Sequence, residues 1–244
     1  MHRKRIIAFD FRVCSRTLLL CATGGVVALA AIDVRAQVSG TVALVSDYRF
    51  RGLSLSSGQA EPQLSLAYDS PGGWYAGLFG SNVKLRDDRD QQVIAYAGYS
   101  RKWLSGLSAE FGVTASSFLK TSYYNYAEAF VGVNFDELSG RLYVSPNYFG
   151  QSIPSVYLEL NASHQIAART HLLAHIGYLR SFSGTDEPTF VPLSRIDALL
   201  GVATNWGDWR FQLAWTGTAR SRARYPLFGE RNSDALVFSA AYSF

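Results

Sequence analysis

Apolar and polar positions alternate with a period of two along most of this chain, not with the 3.6-residue spacing of an amphipathic helix. In the opening segment Val38, Val42, Leu44, Tyr48 and Phe50 share one face, and Thr41, Asp47, Arg49 and Arg51 the other. The pattern recurs where Leu107, Ala109, Phe111, Val113 and Ala115 oppose Ser108, Glu110, Gly112, Thr114 and Ser116. Val156, Leu158, Leu160 and Ala162 likewise oppose Tyr157, Glu159, Asn161 and Ser163, and Trp209, Phe211, Leu213 and Trp215 oppose Arg210, Gln212, Ala214 and Thr216. Further strands are expected at 62–68, 74–83, 92–99, 126–135, 141–148, 171–182, 195–205 and 234–244, about twelve in all. Trp74–Val83 is apolar on both faces, so the period leaves its orientation open.

The breaks between these segments alternate in kind. Tight ones fall at Asp69–Gly73, Arg101–Gly106, Asp136–Gly140, His164–Thr170 and Gly207–Asp208. Longer or more polar ones fall at Gly52–Gln59, Lys84–Gln91, Leu119–Asn125, Phe149–Pro154, Ser183–Leu193 and Ala219–Ser233. An even number of strands with short turns at one end and long loops at the other matches the periplasmic and extracellular ends of a membrane barrel. Trp74, Trp103, Trp206 and Trp209 flank short turns, whereas Tyr123, Tyr124, Tyr126, Tyr148, Phe149 and Phe182 cluster near long loops, as two interfacial girdles would.

The last segment names the solvent around the barrel. Leu236, Phe238, Ala240, Tyr242 and Phe244 form an apolar face, and Ala235, Ser239, Ala241 and Ser243 a small or polar one. An amphipathic strand ending in Phe resembles the closing strand of bacterial outer-membrane barrels, with Phe238, Tyr242 and Phe244 as the assembly signal read by the barrel-assembly machinery. No apolar run of helical-span length follows residue 36. Only a closed barrel then satisfies its backbone groups in hydrocarbon. The expected fold is an all-β, closed antiparallel transmembrane β-barrel of about twelve strands over residues 37–244.

Residues 1–36 read as a cleaved signal peptide: Met1–Arg5 is basic, Leu18–Ile32 apolar or small, and Val34-Arg35-Ala36 a small-residue cleavage site. A lipoprotein signal around Cys21 fits less well, because bulky Leu20 precedes the cysteine. Cleavage changes the charge. Six of 23 Lys and Arg and two of 19 Asp and Glu lie in residues 1–36, leaving 17 of each sign in the remainder. A neutral mature chain gives no reason to expect nucleic acid. Both cysteines, Cys14 and Cys21, leave with the signal, so neither a disulfide framework nor a Cys-based metal site is expected.

A twelve-stranded barrel has a backbone diameter of about 24 Å, and inward side chains narrow it to a bore that either passes small solutes or is filled. The inward pattern assigns Asp47, Arg49, Arg51, Glu110, Glu128, Arg141, Glu159, Arg195, Asp197 and Arg210 to the lumen. These are expected to form a constriction that sorts solutes by charge and size, or a ladder of salt bridges that braces and plugs the barrel. The loop Arg220-Ser-Arg-Ala-Arg-Tyr225 presents Arg220, Arg222 and Arg224 to lipopolysaccharide phosphates, with a merely solvated charge run as its alternative. Asp87, Asp88 and Asp90 could hold a divalent cation together with lipid phosphates, but carboxylates in a loop are more often merely solvated, and no metal or other cofactor is expected. Catalysis is not expected: no Gly-x-Ser-x-Gly elbow occurs, and adjacent Ser163 and His164 point to opposite faces.

The stretches Gly40-Thr-Val-Ala-Leu-Val-Ser-Asp-Tyr-Arg-Phe-Arg-Gly-Leu-Ser54 and Gly73-Trp-Tyr-Ala-Gly-Leu-Phe-Gly-Ser-Asn-Val83 resemble the start of the TorF-type porin family, also described as Gcw conserved-hypothetical outer-membrane β-barrel proteins. The resemblance is specific over the first fifty or so mature residues and one of pattern beyond them. It implies a porin-like channel in the cell outer membrane, with small hydrophilic solutes, outer-membrane lipid and lipopolysaccharide as partners. The alternatives are a non-conducting structural or surface-recognition barrel and, more remotely, a lipid-modifying outer-membrane enzyme.

Overall fold

A computed structural model describes residues 37–85, 88–103, 106–150, 152–182, 194–219 and 234–244. The expected signal peptide and Arg220, Arg222 and Arg224 lie outside these described residues, as does Asp87. Among the described residues, twelve strands close an antiparallel barrel: β1 (Gln37–Val45), β4 (Glu61–Asp69), β5 (Trp74–Leu85), β6 (Asp88–Lys102), β7 (Leu107–Phe118), β8 (Tyr126–Phe135), β9 (Leu138–Ser145), β10 (Ser155–Ala167), β11 (Thr170–Ser181), β12 (Ser194–Trp206), β13 (Trp209–Ala219) and β14 (Ala235–Ser243). Two short strands, β2 (Arg49–Phe50) and β3 (Leu53–Ser54), pair only with each other. Each barrel strand pairs with its neighbours in sequence, and β1 closes the ring by pairing with both β4 and β14. No described helix is long and apolar enough to cross a membrane.

Two-residue periodicity produces this ring because its two sides meet different surroundings. Val42, Leu44, Phe111, Val113, Leu158, Leu160, Leu213, Leu236 and Phe238 all point outward and are exposed, whereas Thr41, Ser108, Glu110, Glu159 and Asn161 point inward and are buried. Closure leaves no barrel edge unpaired. At the seam the backbones of Gly40 and Phe244 exchange two hydrogen bonds of 2.9 Å, and the Phe244 ring lies across Gly40. A Cβ at residue 40 would come within 2.5 Å of Phe244 Cζ, so glycine is what lets the ring lie there.

The short turns and Trp74, Trp103, Trp206 and Trp209 gather at one rim, with all four indoles exposed. The other rim departs from expectation in two respects. First, β5 and β6 run on to Leu85 and back from Asp88, so most of the expected Lys84–Gln91 loop is strand. Second, Tyr123 and Phe182 are exposed, but Tyr124, Tyr126, Tyr148 and Phe149 are buried. These four do not belong to a lipid-facing girdle; they pack inside the barrel against Phe118 and against one another. Alternation reports that a face is apolar, and an inner core satisfies that as well as lipid does.

Candidate functional site in the barrel lumen

The first strand stops sooner than its alternation suggests. After Val45 the chain leaves the wall and folds inward, so Tyr48 and Phe50, expected on the outer face, are 0% and 4% exposed inside the lumen. There they join Leu53, Leu55, Phe79, Val83, Leu85, Phe118 and Tyr126 in one apolar cluster. Asp47 organises the base of the inward loop by accepting hydrogen bonds from Arg49 Nε (2.7 Å), Ser54 Oγ (2.5 Å), Ser56 Oγ (3.0 Å) and the Gly58 N–H (3.2 Å). Tyr48 OH donates to Gln92 Oε1 on β6 at 2.9 Å, fastening the loop to the wall.

β2 and β3 form a hairpin whose two turn residues, Arg51 and Gly52, have φ of 49° and 78°. This turn requires positive φ at both positions. Arginine there costs of order 1 kcal/mol or more in backbone strain, so its side chain must contribute something in return. Arg51 Nη1 and Nη2 donate to Glu128 Oε1 and Oε2 on β8 at 2.9 and 2.7 Å. Its guanidinium also lies 4.1 Å from the Tyr157 ring centre and 4.9 Å from that of Phe50. On the other side of the tip, a Cβ on Gly52 would run into Thr218 and Asp197. The hairpin therefore reaches across the bore from β1 to the wall at β8, β12 and β13.

A tilted band of charge lies on that wall. Residues in register are Glu110 (β7), Gly132 (β8), Arg141 (β9), Glu159 (β10), Gly177 (β11), Asp197 (β12) and Thr218 (β13). The glycines leave gaps into which their neighbours lean. A Cβ at Gly132 would come within 2.8 Å of Glu110 Oε1, and one at Gly177 would overlap Tyr157 OH and the Asp197 carboxylate. Through the first gap Arg141 pairs with Glu110, whose other oxygen accepts from Tyr75 OH at 2.7 Å. Through the second, Tyr157 OH lies 3.1 and 3.0 Å from the two Asp197 oxygens, and His175 Nε2 lies 3.4 Å from one of them. His175 Nδ1 meets Asn161 Oδ1 at 2.6 Å, an acceptor, so Nδ1 carries a proton. Such pairing makes buried charge tolerable, and losing one member leaves the other stranded.

The apolar cluster and the hairpin do not fill the bore evenly. A cavity of about 60 Å³ remains beside the hairpin, against β11–β14, lined by Asp47, Arg49, His175, Asp197, Gln212 and Thr216 among others. Gln212 Oε1 and Thr216 Oγ1 are buried without a protein partner, as groups that meet water or a polar solute would be.

All ten residues assigned to the lumen lie on the inner side of the barrel, nine of them buried and Arg210 partly so. Their grouping differs from a simple ring. Asp47, Arg49 and Arg51 stand on the inward loop and not on the wall, Arg51–Glu128 and Arg141–Glu110 are closed ion pairs, and Arg49 and Asp197 face the cavity. Gly132, Gly177, Tyr75, Tyr157, His175 and Tyr143, whose OH accepts from Arg141 Nη1 at 2.9 Å, complete the arrangement; which of them meet depends on register across strands, which one sequence does not carry. Asp90, read as a solvated carboxylate, is 1% exposed and accepts from the Gln91, Lys120 and Thr121 N–H groups and from Thr121 Oγ1. No group of three or more potential metal-binding His, Cys, Asp or Glu residues occurs among the described residues.

Comparison with known proteins places this geometry in a family. The model for a "Bacterial protein of unknown function (Gcw_chp)" matches residues 30–243, so the chain belongs to that family. No curated protein matches the chain. Among solved structures, a KdgM porin is similar over 84% of this chain and 99% of its own, with a TM-score of 0.51 and 15% identity. A KdgM porin in complex with disordered oligogalacturonate matches over 86% and 99%, with a TM-score of 0.48 and 15% identity. LpxR from Salmonella typhimurium matches over 84% and 99%, with a TM-score of 0.43 and 7% identity. The chain thus has a porin-like fold.

Proposed function

We propose that this Gcw_chp family member is an outer-membrane channel for passive passage of small hydrophilic solutes, of TorF-type porin character, exported with removal of residues 1–36. The observation that carries this reading is the uneven lumen. One side is sealed by an aromatic core beneath an inward hairpin, and the other keeps a polar cavity between Arg49 on that hairpin and Asp197, Gln212 and Thr216 on the wall. A path so bounded is narrow and lined by both signs of charge, which favours small polar solutes over large or apolar ones. The exposed apolar belt, the tryptophan rim and the porin-like barrel support hydrocarbon as its surroundings.

Reconstitution of the folded chain into planar bilayers tests it. Discrete conductance steps are expected, and Arg49→Gln should shift ion selectivity toward cations, because it removes a positive group at the cavity. Persistent silence from folded protein would overturn the channel. The second reading, a non-conducting structural or surface-recognition barrel, is favoured by one observation: Arg51 and Glu128 lock the hairpin tip to the far wall. Silence from the unaltered chain, followed by conductance once that lock is cut, would establish it. An enzymatic role is not proposed, and lipopolysaccharide contact at Arg220, Arg222 and Arg224, outside the described residues, stays part of this proposal.

A further inference from the structure

At the β5–β7 sector of the long-loop rim, the described charges on β5 and β6 separate by face. On β6, Asp90 points inward and is buried; Asp88 is in register with the buried Leu85 and shares that inner side. Lys84 on β5 and Arg89 on β6 are directly paired across strands and share the outer side. Lys120, just beyond β7, lies next to Arg89 at the rim: its N–H donates to Asp90 Oδ1 at 2.9 Å and its Nζ to the Arg89 carbonyl at 3.0 Å. The inward carboxylate of Asp90 thus pins the backbone that sets Lys120 beside Arg89. Arg89 and Lys120 are exposed, and Arg89 Nη2 donates to Gln59 at 3.1 Å.

Height along the wall says what these groups meet. Trp74 and Lys84 lie on the outer side of the same strand at its two ends. Ten residues of strand rise about 33 Å, or about 25 Å along the barrel axis at a 40° tilt, which is the height of the apolar band of such barrels. With Trp74 at one interface, Lys84, Arg89 and Lys120 stand at the other, in the headgroup layer beside the long loops. A phosphate seated among Lys84, Arg89 and Lys120 would accept charge-assisted hydrogen bonds from all three.

Resting on the outer-membrane reading above, we infer that Lys84, Arg89 and Lys120 form a docking site at the β5–β7 rim of the barrel for the phosphates of an outer-leaflet glycolipid, lipopolysaccharide. The site is separate from the lumen. It ties one sector of the rim, β5–β7, to the lipid.

The test uses the full-length folded chain in detergent, titrated with bisphosphorylated lipid A and followed by native mass spectrometry. Tight retention is expected, with dephosphorylated lipid A bound far more weakly. Lys84→Gln/Arg89→Gln/Lys120→Gln should weaken retention roughly a hundredfold, while heat-modifiable gel mobility and single-channel conductance stay unchanged. Should the triple variant not fold, Arg89→Gln and Lys120→Gln, both at exposed positions, carry the test singly with about fivefold losses each. Equal retention by variant and parent, or binding of dephosphorylated lipid A or phosphatidylglycerol as tight as that of lipid A, would overturn the site. Fractionation keeps this separate from the premise: recovery of the chain away from the outer membrane sinks the localisation, whereas failed binding by a correctly localised barrel sinks only the docking site.

Discussion

Arg51, held at a φ of 49° on the tip of an inward hairpin, makes a bidentate ion pair with Glu128 on the far wall of the barrel. Both side chains are 4% exposed, so neither has water to fall back on. Arg51→Gly relieves the left-handed strain and removes the latch together; Glu128→Ala strands the guanidinium. The expected result is larger or longer conductance steps for both variants. Glu128→Ala should also cost about 3 kcal/mol in urea unfolding, as breaking one side of a buried pair does. Unchanged conductance in both would mean that the hairpin does not govern the bore.

Gly177 is predicted to be intolerant of a single methyl group, because its Cβ would occupy the space through which Tyr157 reaches Asp197. Gly177→Ala should destabilise the barrel by about 1–3 kcal/mol and disturb the cavity beside His175. Gly80→Ala is the control: the nearest atom to its Cβ is the Gln92 carbonyl oxygen at 4.0 Å, and it should be neutral. Equal unfolding midpoints for the two variants would remove the glycine gap from the account.

At the seam, Gly40→Ala should slow barrel closure by pushing on the Phe244 ring, and Phe244→Ala should do so by removing the ring that covers the joint. The double variant no longer contains the clash, so its loss in refolding yield should be smaller than the sum of the single losses. Strict additivity would show that the two residues do not meet during closure.

The turn between β8 and β9 offers a titration. Glu137 accepts from His164 Nδ1 at 2.7 Å, and this hydrogen bond holds its carboxyl below the ordinary range. A depressed folded value means that the stabilising contribution is present above the unfolded value and is lost as the pH falls through the folded one. His164→Ala should return the Glu137 titration, followed by carbon-detected NMR of labelled carboxylates, to the ordinary range. A titration unmoved by the substitution would assign the shift elsewhere.

Strands such as β7, β10 and β13 are legible in the sequence because each side of the wall has its own surroundings and every second residue records them. What the record omits is which surroundings. Tyr48 and Phe50 continue the apolar set of β1 and would suit lipid, yet they belong to an inner core. The clues to that inward fold are local: Gly52, suited to a tight turn, and Asp47 followed by Ser54, Ser56 and Gly58 at spacings that let one carboxylate gather a loop. The charged residues are legible as a set, since they sit opposite apolar positions. Their pairing is not, because Glu110 and Arg141 meet across β8 at Gly132, and one sequence carries no register.

The joint between β1 and β14 has a consequence for the order of biogenesis. A ring whose first described strand hydrogen-bonds its last admits no sealed intermediate: until β14 is in place, β1 has a bare flank of unpaired amides. On the outer-membrane reading proposed above, the wall is sealed only once β1 and β14 are both present.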